Sequence, residues 1–254
     1  MNYLDLLQSY NLSWFQWSAI GLAAFLLGLS KAGIKGIGII IVVILAFVFG
    51  EKTSTGILLP MLICADVLAV IYYNQHAQWK YIFKLLPMMI VGVLVGVWLG
   101  NDISEMIFKK LMAIIIIGSV ILMFLAENRK STSVPKPKVF SWITGFLAGF
   151  TTMIGNLAGP VANIYFLAIR FPKNEFIGTA AWLFFIINIF KLPFHIFVWK
   201  TVNVQTLTLN AVLIPTVICG FFLGAALVKR ISNLNYRRFI LAVTAIGGVI
   251  LLFR

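Results

Sequence analysis

Apolar residues in this chain form long unbroken runs, at roughly 14–49, 53–73, 81–100, 106–126, 140–169, 176–199, 206–228 and 239–253. Neither the two-residue alternation of a half-buried strand nor the single apolar stripe of a surface helix describes them. Continuous runs of this kind are membrane-spanning helices, so the pattern predicts an all-α integral membrane protein. The first run of each half is too long for one crossing. Residues 14–49 as a single helix would reach about 54 Å against a hydrocarbon core of about 30 Å. Each long run contains a cluster of helix breakers, SKAGIKGIG at 30–38 and IGNLAGP at 154–160. Glycine weakens a helix and proline removes a donor, so each long run is expected to be two shorter helices with an irregular joint.

Composition supports the membrane reading. Of 254 residues, 61% are hydrophobic and 11% charged, and the mean hydropathy is +1.03. A soluble domain carries about 25% charged residues. The excess of 20 Lys and Arg over 7 Asp and Glu lies mostly in short loops between apolar runs. Orientation in a charged membrane explains such bases better than nucleic acid does. Cys64 and Cys219 lie in apolar runs with no ligand-like neighbour and read as packing residues; no metal or cofactor is expected. The N-terminal stretch MNYLDLLQSYNLSW lacks the basic region and cleavage site of a signal peptide, and Trp14 and Trp17 read as interfacial anchors.

The two halves resemble each other. Pro87, Gly92 and Gly96 form P-x4-G-x3-G, and Pro215, Gly220 and Gly224 repeat it at an offset of 128. The same offset carries Lys109-Lys110 onto Arg237-Arg238. Earlier in each half the offset falls to about 122–124, where Gly21 matches Gly145, Gly36 matches Gly159 and Gly56 matches Gly178. This register predicts a first repeat at 14–126, a basic linker at 127–139 and a second repeat at 140–253. Each repeat would hold a broken long first helix and three further transmembrane helices, an architecture common among transporters.

Charge selects the topology. If each long run crossed once, the basic loops around 129–138 and 229–238 would lie on opposite sides, against the positive-inside rule. If each long run enters and leaves on one side, twelve bases share a face: Lys80, Lys84, Arg129, Lys130, Lys136, Lys138, Arg170, Lys173, Lys229, Arg230, Arg237 and Arg238. Lys52, Lys109, Lys110, Lys200 and Arg254 take the other. The hairpin layout inverts the second repeat relative to the first. It places both termini outside, in a multi-pass protein of a bacterial inner (plasma) membrane. Periodicity leaves open whether the hairpins are re-entrant or cross fully.

Ionisable groups inside spans are rare and tend to be functional. Lys31 and Lys35 flank Gly33 at the first break. They either snorkel to an interface or form an anion site with two half-helix N-termini, one opened near Gly36 and the other by Pro160 with Gly159 or Asn156 in its cap region. Asp66 is the only carboxylate within a span. It is either an ion-pair partner of Lys31, Lys35 or Lys191, or a proton-coupling group. Lys191 reads alternatively as a packed stem with its head near a polar cavity. His195, close to a helix end after Pro193, reads as interfacial. Asn163 and Asn188 either bond neighbouring helices or line the path. The candidate substrate-binding set is therefore Lys31, Gly33, Lys35, Gly36, Asn156, Gly159, Pro160 and Asn163, with Asp66 and Lys191 as the coupling or ion-pair set. An enzyme is disfavoured, because no H-E-x-x-H, G-x-S-x-G or P-loop occurs. A passive anion channel is the closer rival to a carrier.

These stretches resemble the TauE/SafE family of sulfite exporters, over about residues 15–253. The resemblance rests on GLSKAGIKGIGIIIVVILAF in the first half, and on GFLAGFTTMIGNLAGPVANIYFLAI followed by PKNEFIGTAAWLFFIINIFK in the second. Lys31, Gly33, Gly36 and Gly38 stand for the family's first lysine-glycine stretch, and Gly155, Gly159 and Pro160 for its second. Ala32, Ile34, Lys35 and Ile37, and Asn156 and Leu157, depart from it. The resemblance implies secondary transport of a small sulfur-containing or organic anion such as a sulfite or sulfonate. Its partners would be that anion and the lipid bilayer, without nucleic acid, and a homodimer is one allowed assembly.

Overall fold

The structure is a computed structural model and describes residues 7, 9–101, 103–104, 106–108, 110, 114, 138–232 and 236. The expected linker, the spans 106–126 and 239–253 for the most part, and the Arg237-Arg238 pair lie outside the described residues. Within these limits the fold is all-α, with no strand among the described residues. In chain order its helices are α1 (Trp14–Lys31), α2 (Gly38–Phe49), α3 (Glu51–Tyr73), α4 (Trp79–Asn101), α5 (Lys138–Gly155), α6 (Ala158–Ile169), α7 (Lys173–Pro193) and α8 (Val204–Lys229). A 3₁₀ turn at Asn74–His76 follows α3, and a π-helical segment, Phe194–Val198, extends α7. Polar residues set the clearest starts. Ser13 and Gln16 form a capping box on α1, and Asn203 and Thr206 form one on α8.

Among the described residues four segments are long and apolar enough to cross a membrane: Glu51–His76, Trp79–Asn101, Lys173–Val198 and Val204–Lys229. Their outward side chains are bulky and apolar, with Ile71, Phe83, Trp98, Phe197 and Phe222 all exposed. Polar side chains are instead found inside: Asp66, Thr179, Lys191 and His195 have no exposed surface. This inverts the soluble pattern and suits a surface solvated by lipid.

Both long runs are broken where the glycines and proline predict. The first breaks between Lys31 and Gly38, the second between Gly155 and Ala158. The returning helices α2 and α6 have 12 residues each. At 1.5 Å per residue that is about 18 Å, too short to cross a core of about 30 Å. Each long run is thus a nearly full-length helix followed by a half-helix.

Contacts sort the connections into two ends. At one end Tyr81 packs on Phe171 with ring centroids 4.9 Å apart. Lys173 Nζ donates to the carbonyls of Val228 and Ile231 at 2.9 and 2.7 Å there. At the other end Lys52 Nζ donates to the Asn101 carbonyl at 2.9 Å and Phe108 meets Trp199 at 5.7 Å. Tyr10, just before α1, touches Phe49 at the end of α2, so the first hairpin opens at the second end. Phe140 at the start of α5 stacks on Tyr165 near the end of α6, and Phe166 meets Phe171, so the second hairpin opens at the first end.

The P-x4-G-x3-G motifs are close-packing devices. Gly92 of α4 lies against the backbone of Phe146 and Phe150 in α5, and Gly96 against Met153. In the other half Gly220 of α8 lies against the backbone of Phe25 in α1, and Gly224 against Leu29 and Ala32. Gly149 and Gly28 answer from the facing helices, touching Met89 and Val217. Helices in lipid associate through such small residues because no hydrophobic force separates them from the tails. A Cβ at Gly92 or Gly220 meets a carbonyl oxygen, a rigid neighbour. Gly92→Ala and Gly220→Ala are therefore expected to cost about 1–3 kcal/mol. Gly21→Ala, with nothing within 4 Å of the added carbon, should be neutral or stabilising by about 0.5–1 kcal/mol. Thermal unfolding of the three purified variants checks this, and equal melting points would refute the packing assignment.

Candidate anion site at the two helix breaks

A cavity of about 70 Å³ lies between the two breaks. Its polar wall comes from Ser30, Lys31, Lys35, Gly36 and Gly38 of the first break, and from Thr152, Asn156, Gly159, Pro160 and Asn163 of the second. Phe184 and Asn188 of α7 close one flank. The volume suits a solute no larger than a few water molecules.

At the first break the chain turns through Gly33 and Gly36, with φ of 126° and 100°. Only glycine adopts such angles without strain. The freed carbonyls are taken up by tyrosines: Tyr73 donates to the Ala32 oxygen at 2.9 Å and Tyr236 to the Gly33 oxygen at 2.6 Å. Lys31 Nζ pairs with Asp66 Oδ1 at 2.6 Å and lies 5.0 Å from the centroid of the Phe184 ring. The second carboxylate oxygen of Asp66 accepts from Asn188 Nδ2 at 2.7 Å. Lys35 is buried to 6% exposure and donates no hydrogen bond to the described residues. Its ammonium is a buried charge available to the cavity.

At the second break Asn156 takes a left-handed φ of 56°, which asparagine tolerates better than most residues. Lys191 Nζ fastens this joint. It donates to the Thr152 carbonyl at 2.9 Å, the Thr152 hydroxyl at 3.0 Å and Asn156 Oδ1 at 2.6 Å. These contacts place a cation at the C-terminal end of α5, where the helix dipole favours it. Asn156 Nδ2 in turn donates to the Thr55 carbonyl at 2.9 Å. Both half-helices start without a side-chain cap, at Ile37 and Leu157, so the N–H groups of Gly38 and Ile39 at one start, and of Ala158 and Gly159 at the other, have no intrahelical partner. Free N–H groups, positive dipole ends and the Lys35 ammonium form a site with the chemistry of an anion receptor.

Seven of the eight candidate binding residues line this cavity: Lys31, Lys35, Gly36, Asn156, Gly159, Pro160 and Asn163. Gly33 does not. It faces Ile177 and Val228, and its role is the turn. Pro160 is the third residue of α6, not the first, and Leu157 rather than Gly159 or Asn156 is the cap. The proline is tolerated there because no N–H in the first turn has a partner to lose. Asp66 stands behind Lys31 as its counter-ion, and Lys191 is spent on the break. His195 is buried within the protein. The π-helical segment tucks it fully inside, with Nδ1 2.8 Å from the Thr201 hydroxyl. Thr152 was missed by sequence reasoning, because threonine carries no signal until the break beside it is seen in space. Among the described residues no three of His, Cys, Asp or Glu gather as a metal site would require.

Removing one partner of a buried ion pair leaves the other charge uncompensated, at a cost of about 3–5 kcal/mol. Asp66→Asn is expected to show that loss in thermal unfolding, and the double variant Lys31→Gln, Asp66→Asn to recover most of it. A single variant as stable as the parent would mean that the pair contributes nothing to the fold.

The family model for sulfite exporter TauE/SafE matches residues 20–251, a span that takes in both breaks and every residue of the cavity wall. No curated protein and no solved structure matches the chain. The chain belongs to the sulfite exporter TauE/SafE family of membrane transporters.

Proposed function

We propose that this protein is a secondary carrier for a small sulfur-containing or organic anion of the sulfite and sulfonate class, working by alternating access between two inverted repeats. The observation that carries the reading is the Lys35 ammonium, buried and without a hydrogen-bond partner among the described residues, in a cavity between two uncapped half-helix N-termini. A receptor of that kind, held at broken helices, is the arrangement of carriers whose substrate is anionic.

Duplication with inversion is supported by paired contacts. Gly56 of α3 abuts Thr201, beyond α7, while its counterpart Gly178 of α7 abuts Tyr73, the last residue of α3, and His76 beyond it. Asp66 and Asn188, which bond each other, are themselves 122 residues apart, the offset between Gly56 and Gly178. Orientation follows from charge. Lys80, Lys84, Arg170, Lys173, Lys229 and Arg230 belong to the first end, Lys52 and Lys200 to the second, so the first end faces the cytoplasm of a bacterial inner membrane and both termini lie outside. Asp66 is the candidate for proton coupling. Lys31 and Asn188 contact it, and Lys35 and Lys191 are the other charges near it. Protonation of Asp66 would release Lys31 to the anion, so that a proton and an anion move together.

Flux into proteoliposomes with sulfite, sulfate, sulfoacetate, thiosulfate and carboxylates, with and without a pH gradient, tests the carrier. Saturation and counterflow are expected. Conductance without saturation identifies a channel, and product formation an enzyme. Lys35→Ala should weaken binding roughly ten- to hundredfold, the worth of a charge-assisted hydrogen bond, while Lys35→Gln, which keeps most of the packed stem and breaks no hydrogen bond to a described residue, should leave the melting point in place. Wild-type affinity in the alanine variant removes Lys35 from the site.

Topology has its own test. Single cysteines at positions 132 and 233 should be labelled from the cytoplasmic face in sealed cells. Labelling from opposite faces is incompatible with the inverted arrangement.

A further inference from the structure

Beside Lys35, the cavity wall holds an amide whose hydrogen-bonding groups are unused among the described residues. Asn163 on α6 is 2% exposed, lines the cavity, and makes no side-chain hydrogen bond to the described residues. Its Oδ1 is buried without a partner. Other buried side chains with such atoms, Tyr10, His195 and Asn210, are not part of this wall. Asn156 and Asn188, the other two amides of the wall, are engaged, through Lys191 and Thr55 in one case and Asp66 in the other. A buried amide is expected to be paired at both ends. Neither end of the Asn163 amide has a partner among the described residues; Oδ1 has almost no accessible surface as placed, so a ligand meets an acceptor here once the two ends of the amide exchange, an assignment that the hydrogen bonds of the described residues leave open.

The charged group and the free backbone N–H groups of the site are donors, and the Ser30 and Thr152 hydroxyls of the wall can donate or accept. An ammonium and helix N-terminal N–H groups satisfy the oxygens of an oxyanion, and an anion oxygen also satisfies the NH₂ of Asn163. An anion without hydrogen of its own cannot satisfy the amide oxygen. We infer that the site selects a compact monoanion that bears its own O–H or N–H donor, such as a protonated oxyanion or an amino- or hydroxy-substituted sulfonate, and that Asn163 reads this donor. This rests on the anion reading above and adds a specificity-determining residue to it.

Sulfamate and methanesulfonate separate the two ideas. Both are monoanions of nearly the same shape, and only sulfamate carries N–H donors on the group attached to sulfur. Calorimetric titration of the purified full-length protein in detergent is expected to show sulfamate binding about tenfold tighter, the scale of a buried hydrogen bond made against one left unmade. In Asn163→Leu, close in shape but without the amide, the gap should close through loss of sulfamate affinity, with methanesulfonate unchanged or tighter. Lys35→Gln should weaken both ligands alike. Equal affinity of the two ligands in the parent overturns donor selection while leaving the anion site standing. A gap that survives in Asn163→Leu overturns the assignment to Asn163. Failure of both ligands to bind, or indifference of both to Lys35→Gln, overturns the anion reading and this inference with it. Should Asn163→Leu fail to fold, Asn163→Ala replaces it, and the parent comparison alone decides whether a donor is required.

Discussion

Backbone that leaves a helix inside a bilayer finds no water to bond, so protein must satisfy it or it must line a polar cavity. Both breaks in this chain obey that constraint, and most of the interior polar residues exist to meet it. Tyr73 and Tyr236 reach the carbonyls of the first break. Lys191 and the Thr151 hydroxyl reach those of the second. What these groups leave uncovered is the N-terminal side of each half-helix, and that side faces the cavity. The site follows from breaking two helices and sealing two of the four exposed helix ends.

Three lysines within the spans have three different fates, and their environments explain why. Lys31 is matched by a carboxylate that cannot reach water. Lys191 is matched by neutral oxygens at a helix C-terminus, a placement that needs no counter-ion of its own. Lys35 is matched by neither, and a buried charge without compensation is costly unless a ligand supplies it. The wild-type chain tolerates this in a wall that also contains an unpaired amide. Both deficits point in the same direction, toward something small, anionic and hydrogen-bearing.

Much of this was legible in the sequence. Run length against bilayer thickness gave away the broken helices, and glycine and proline located the joints to within a few residues. Charge distribution grouped the loops that the contacts then bring to common ends. Side-chain pairing was not legible. Asp66 had three possible lysine partners, and the choice of Lys31 depends on the turn at Gly33 and on how α7 lies across α3, neither of which leaves a mark in residue spacing. Gly33 was misplaced for the opposite reason: a glycine beside two lysines looks like part of their site, yet its positive φ is what sends the chain around and carries Gly33 itself away. The burial of His195 was not legible, because a π-helical turn has no strong sequence signature.

The asymmetry between the halves has a mechanical consequence under the proposed duplication. Residues related by a twofold axis can bond each other only if they sit close to that axis. Asp66 and Asn188 are 2.7 Å apart, so the axis would pass between α3 and α7 at this pair. A symmetric pair of carboxylates there would repel, and a symmetric pair of amides would leave Lys31 without a counter-ion. One acid and one amide avoid both outcomes and leave a single negative charge on the line about which the repeats exchange conformations. A charge on that line stays at the same depth whichever way the cavity opens. Asp66 would then take up or release its proton, and free or hold Lys31, in either state at little electrostatic difference between them, a condition that lets a carrier turn in either direction and leaves the sign of transport to the gradients.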